Sequence, residues 1–118
     1  MKFNFEKLEV WQLGMEVVSG IYKVSKIFPA SEKFELTSQI KRAALSIPLN
    51  IAEGSGRKTQ KDFCHFIRIS IGSVLEVVTC LKIVLREKFI GEGEYKELET
   101  SLQKVYFKLV ALEKSLIN

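Results

Sequence analysis

The sequence has 118 residues, and we expect a single domain over residues 1–118. Hydrophobic residues make up 47% and charged residues 27%, with only 2 Pro and 7 Gly, which excludes a disordered chain or a turn-rich β fold. The formal net charge of +4 permits an anionic partner but does not require one.

The first predicted helix covers residues 6–28. Its apolar residues recur at three- and four-residue spacing, as an amphipathic helix requires. They are Leu8, Trp11, Met15, Val18 and Tyr22. We expect Phe28-Pro29 to end the helix, because the residue before a proline avoids the α conformation.

The second predicted helix covers residues 36–54. Pro48 falls inside its apolar pattern and should kink it, and the run Gly54-Ser55-Gly56 should end it. A polar stripe follows one side: Gln39, Arg42, Ser46, Asn50, Glu53 and Arg57. We expect this stripe to set helix register through ion pairs, with a partly buried Glu53 bound to Arg42, Arg57 or Arg68.

The third predicted helix covers residues 59–89 and begins at Thr59, with Asp62 completing a capping box. It is apolar on almost every side, so it must be covered on more than one side. Gly72 and Ser73 should let a neighbouring helix approach closely. Cys64 and Cys80 lie ~24 Å apart along this helix, too far for a disulfide within the chain.

The fourth predicted helix covers residues 93–116, follows Gly91-Glu92-Gly93 and repeats leucine at three- and four-residue spacing. No segment alternates as a strand would. The sequence therefore predicts an all-α fold, an up-down-up-down four-helix bundle.

Apolar surface exceeds what one small bundle can cover, which predicts a homo-oligomer; the alternative is a well-covered monomer. The longest apolar stretch, residues 69–85, contains Glu76 and Lys82, so we expect no membrane span. The first residues lack the apolar run of a signal peptide. We expect a cytoplasmic protein.

Basic residues concentrate between positions 41 and 68, where only Glu53 and Asp62 oppose them. The six candidate phosphate-binding residues are Lys41, Arg42, Arg57, Lys58, Lys61 and Arg68. Three of them flank the start of the third helix, where free backbone N–H groups favour anions. The alternative is an ordinary solvated face. The segment Gly54–Thr59 does not match a nucleotide-binding P-loop, because Arg57 intrudes and a helix precedes it.

No catalytic, cofactor-binding or metal-binding residues are predicted. His65 is the single histidine, and a zinc site would need more ligands at motif spacing. Cys64 and His65 are adjacent on a helix and point about 100° apart, so they do not form a nucleophile–base pair. We expect a non-enzyme.

Several segments resemble a known family. They are residues 5–11, Phe28-Pro29, residues 36–44, Ser46-Ile47-Pro48, the run from Asn50 to Gly54, Gly56-Arg57, Phe63, and Gly72-Ser73 with Glu76. Together they resemble the four-helix proteins encoded in intervening sequences of bacterial 23S ribosomal RNA genes. Glu35 departs from the pattern, since the family often has Gly there.

The resemblance implies a ring-like homopentamer. The sequence is also similar to the accessory protein of diversity-generating retroelements, which binds nucleic acid and works with a reverse transcriptase. Our leading expectation is a non-catalytic oligomer that binds RNA or DNA phosphates. The alternative is a scaffold that recruits a protein partner such as a polymerase or reverse transcriptase.

Overall fold

A computed structural model describes residues 3–117 of the chain. Four α-helices form the bundle: α1 (Glu9–Ser25), α2 (Leu36–Ser55), α3 (Gln60–Arg86) and α4 (Glu92–Leu116). Two short 3₁₀ turns, Asn4–Lys7 and Ala30–Glu32, precede α1 and α2. No strand occurs between residues 3 and 117, and the all-α prediction is confirmed.

The four helices stand in a square, with α1 and α3 each packed between α2 and α4. Every neighbouring pair is antiparallel. Across α2 and α3, Ser46 meets Ser73, whereas Gly54 lies against Phe66. The predicted up-down-up-down order is therefore confirmed, and the bundle measures 43 × 25 × 23 Å.

One continuous core runs through the bundle, as the spacing of apolar residues predicts. The largest fully buried side chains are Ile21, Ile40, Ile47, Ile51, Ile67, Leu81, Leu102 and Leu109. Each helix contributes at least one of them, so the four helices share a single core. Within residues 3–117, no helix is both long and apolar enough to cross a membrane.

The helix boundaries differ from the predicted ones mainly at α1 and α3. The predicted start at residue 6 falls in the 3₁₀ turn Asn4–Lys7, so α1 begins at Glu9, and it ends at Ser25, three residues before the predicted end at Phe28. The third helix ends at Arg86, because Lys88 adopts the left-handed conformation with φ of 63°. The second helix continues through the buried Pro48, and the kink expected there stays a prediction.

The start of α3 follows the predicted cap. The backbone N–H of Asp62 donates to Thr59 Oγ1 at 3.1 Å, which satisfies one N–H group of the first turn. Cys64 and Cys80 are both buried free thiols on α3. Burial raises the pKa of the Cys80 thiol, because a thiolate there would lose its hydration.

Candidate nucleic-acid interface

The turn between α2 and α3 carries three of the six predicted basic residues. Arg57, Lys58 and Lys61 are all exposed there, and we call this trio the basic turn. Thr59, the cap of α3, lies among them, and the other first-turn N–H groups of α3 lack helical acceptors. The basic turn therefore combines three cations with the positive end of a helix.

Arg57 is held in place on two sides. Its guanidinium donates to Glu53 Oε1 at 2.7 Å, one helical turn earlier. The guanidinium carbon also lies 4.6 Å from the centre of the Phe66 ring. Glu53 is exposed, contrary to the expected partial burial, and of its three expected partners it binds Arg57.

Arg68 lies on the side of α3 that faces α4. Its Nε donates to Glu113 Oε2 at 2.7 Å, and this hydrogen bond raises the pKa of Arg68 above its ordinary value. Position 68 is two turns along α3 from Lys61, about 10 Å. The Arg68 guanidinium therefore belongs to the same end of the bundle as the basic turn, but a carboxylate already binds it.

Lys41 and Arg42 do not join the basic turn. Position 42 lies thirteen residues before the end of α2 at Ser55, about 20 Å along the helix axis from the basic turn. Neighbouring helix positions point about 100° apart, so Lys41 and Arg42 face different directions. Lys41 Nζ lies 4.9 Å from the Tyr22 ring centre on the side of α1. The structure thus divides the six residues and does not gather them into one site.

His65 was not among the residues predicted for the site. The side chain is exposed on α3, four residues after Lys61 and three before Arg68. These spacings place the three side chains on one stripe of the helix. The same three- and four-residue spacing identifies His65 as their neighbour from the sequence alone. The His65 ring packs edge-on against Phe66, with ring centres 5.5 Å apart.

The polar stripe of α2 forms a seam against α3. Asn50 donates to the backbone oxygen and to Oγ of Ser46, both at 2.8 Å. Ser73 also donates to Ser46 Oγ at 2.8 Å, and Gln39 donates to Glu76. Hydrogen bonds, rather than the expected ion-pair network, join the two helices in register.

Gly54 lies at the end of the seam, where the last turn of α2 contacts the first turns of α3. A Cβ built there would lie 2.7 Å from Phe66 Cβ and 2.9 Å from Phe63 Cδ1. The absent side chain lets the start of α3 press against the end of α2, which fixes the shape of the basic turn. Gly72, in contrast, has nothing within 4 Å of a built Cβ, so its expected role in close helix approach is not used inside this bundle.

The family match spans nearly all of the chain. Residues 6–111 match the family described as 23S rRNA-intervening sequence protein. The chain belongs to this family. The seam just described gives physical roles to two residues of the run from Asn50 to Gly54 that carried the resemblance. Asn50 holds, within α2, the Ser46 hydroxyl that accepts from Ser73, and Gly54 leaves room for Phe66 of α3.

A solved structure has the same fold as this family member. It is a crystal structure of a protein with unknown function from the S23 ribosomal protein family of Bacteroides thetaiotaomicron VPI-5482. The two chains superpose with a TM-score of 0.83 at 23% identity, covering 89% of this chain and 98% of the other. No curated protein matches the sequence.

The described residues offer no arrangement for metal binding. Between residues 3 and 117, no three His, Cys, Asp or Glu side chains gather closely enough to hold a metal ion. The chemistry available at the basic turn is ionic and hydrogen-bonding contact with an anion.

Proposed function

We propose that this family member is a non-catalytic homo-oligomer that binds the phosphates of RNA or DNA at the basic turn. The observation that carries the proposal is the pair Lys58 and Lys61, which are exposed at the start of α3 and have no carboxylate within ion-pair distance in the described chain. Arg57 stands beside them on Phe66. Lysine and arginine contacts to phosphate release counterions, so binding should weaken steeply with salt.

Two carboxylates near the basic turn bind arginines that a phosphate would have to reach. Glu53 binds Arg57 and Glu113 binds Arg68, and both pairs are on the surface. Exposed ion pairs contribute little to stability, so phosphate can replace either carboxylate at small cost. The basic turn, extended by Arg68, would then present four cations.

The decisive experiment reverses charge at this end of the bundle. The triple variant of Arg57, Lys58 and Lys61 to Glu should lose at least 10²-fold in affinity for single-stranded RNA or DNA at ~50 mM salt, by fluorescence anisotropy. The matched control changes Lys26, Lys33 and Lys88 to Glu, which are exposed beyond the other ends of the helices. Both variants change net charge equally. Equal loss in both would refute the assignment to the basic turn.

A second function, a scaffold for a protein partner, is favoured by a different observation. Large apolar side chains are exposed on α3 and α4, among them Leu75, Ile83 and Phe107. If neither RNA nor DNA binds at low salt while a polymerase or other protein co-purifies in a fixed ratio, this function replaces nucleic-acid binding.

A further inference from the structure

The bundle has an apolar groove between α3 and α4, which we call the α3–α4 groove. Its volume is about 160 Å³, and seven residues line it: Val74, Leu75, Val78, Leu102, Gln103, Tyr106 and Phe107. Phe107 is 66% exposed and Leu75 is 50% exposed, so the rim of the groove is an uncovered apolar surface. None of the seven lining side chains is charged.

Paired charges close both ends of this groove. Arg68 binds Glu113 at one end, and Lys82 lies 3.8 Å from Glu99 at the other. Lys82 also donates to Tyr95 Oη at 2.7 Å, which raises the pKa of Lys82. Each cation is matched by a carboxylate of α4, so the groove offers apolar contact and little net charge.

A second apolar face lies on the opposite side of the square, between α1 and α2. We call it the α1–α2 face; its exposed apolar residues are Met15, Tyr22 and Leu49, which are 42%, 39% and 63% exposed. Met15 and Tyr22 are two turns apart on α1, and Lys41 lies above Tyr22 from α2. Half-buried Leu45 and Ala52 flank Leu49 at one-turn spacing on the side of α1, whereas Ser46 and the exposed Glu53 flank it on the side of α3.

The side between α4 and α1 differs from both. Lys108 there binds Glu9 at 2.9 Å, and exposed charged residues continue along it. They are Glu16, Lys23, Glu97 and Lys104. Charged side chains also line the two grooves of this side, Lys23, Glu94 and Glu97 in one and Glu9 and Lys108 in the other, although Ile27 in the first is 58% exposed. The lining of the α3–α4 groove has no charged side chain, and the α1–α2 face lies on the opposite side of the square from it.

We infer that the α1–α2 face of one copy packs into the α3–α4 groove of the next copy, with Leu49 placed against Leu75 and Phe107. This inference rests on the proposed self-association and names the surfaces that form it. A second copy is the occupant because the chain itself supplies both surfaces: one repeated contact covers both, whereas a foreign partner on one would leave the other exposed.

The contact is head-to-tail, since its two halves consist of different residues. Such contacts repeat from copy to copy and form a closed ring when the rotation between copies closes. A two-fold dimer through the groove alone would leave Met15, Tyr22 and Leu49 in water. The head-to-tail arrangement therefore makes a prediction that a two-fold dimer does not: variants that damage opposite surfaces must complement each other.

The experiment measures particle mass by light scattering, without nucleic acid, for Leu49→Glu, Phe107→Glu and an equimolar mixture. Each variant alone should be monomeric, because one half of every contact carries a buried charge. The mixture should contain a particle of about 27 kDa, twice the 13.5 kDa chain, since one good surface remains on each partner. Phe34→Glu is the matched control: Phe34 is 86% exposed outside both surfaces, and its variant should keep the wild-type mass.

The possible results distinguish a failure of this interface from a failure of the proposed homo-oligomer. A monomeric wild-type chain would overturn both the proposed homo-oligomer and this interface. A wild-type oligomer that both variants retain would overturn the interface alone, as would a mixture that stays monomeric. Dissociation by Phe107→Glu but not by Leu49→Glu would instead establish a two-fold contact through the groove. Circular dichroism of each variant checks that the bundle remains folded.

Discussion

At the scale of single residues, Gly54 shows how one absent side chain positions the basic turn. The Gly54→Ala variant gains up to about 1 kcal/mol of helix propensity. Its new methyl group would meet Phe66 Cβ at 2.7 Å, an atom that cannot move without shifting α3. Overpacking of this kind costs about 1–3 kcal/mol. We therefore expect a net loss in the free energy of unfolding, measured by urea denaturation.

Gly72 supplies the control for this prediction. Both glycines lie within long helices, but a Cβ at Gly72 meets nothing within 4 Å. Gly72→Ala should therefore raise the free energy of unfolding by up to about 1 kcal/mol. If both variants raised the free energy of unfolding, helix propensity would outweigh the contact with Phe66 at Gly54.

At the scale of helices, the ends of the elements depend on interactions that sequence patterns encode weakly. The predicted break at residues 91–93 overlooks Lys88, which ends α3 in a conformation usually left to glycine. The N–H of Phe89 bonds to the oxygen of Val84, and that of Lys88 to the oxygen of Leu85, the hydrogen-bond pattern of a Schellman cap. Gly91 then caps α4, and Gly93 lies inside it.

Replacing Lys88, which has a positive φ, by glycine should stabilise the bundle. A left-handed conformation costs a residue with a Cβ roughly 1 kcal/mol relative to glycine. Lys88→Gly should therefore raise the melting temperature by about 3–5 °C in a bundle of this size. Lys88→Ala removes the same charge and keeps the Cβ, so its melting temperature should not rise. A rise in both variants would attribute the effect to charge.

The helices could be predicted because their apolar spacing is long and regular, whereas the site could be predicted only in part. Basic residues that are close in sequence spread over different helix faces, as Lys41 and Arg42 do, because each step turns the side chain by about 100°. The pairing of Arg68 with Glu113 joins positions 45 residues apart, which no local pattern reports. The basic turn was predictable because its residues flank a recognisable helix start at Thr59.

At the scale of the whole molecule, some apolar residues of α3 stay exposed at identifiable positions on the bundle surface. The sequence predicts that this helix needs cover on several sides, and inside the bundle α2 and α4 provide part of it. Leu75 and Ile83 remain exposed. In the proposed oligomer the next copy covers Leu75, and such cover depends on the assembly, which the pattern of one helix does not report.

Self-association and nucleic-acid binding should be linked through effective concentration. The basic turn lies at one end of the bundle, so a ring with its axis along the helices carries every copy of it on the same rim. A long strand can contact several copies at once, and linked contacts raise affinity by about 10²–10⁴-fold. A short oligonucleotide contacts one copy and gains nothing from the ring.

The Phe107→Glu variant, which should be monomeric, tests this link. Phe107 lines the α3–α4 groove with Leu75, and position 75 is fourteen residues, about 21 Å, along α3 from Lys61 of the basic turn. The variant should bind a 6-nucleotide strand as the wild type does, and should lose about 10²-fold in affinity for a 60-nucleotide strand, by anisotropy at equal subunit concentration. Phe34→Glu adds the same negative charge without dissociating the ring and should bind both lengths normally. Equal losses for the short and long strands would mean that the substitution acts through charge, and unchanged binding of the long strand would mean that each subunit acts alone.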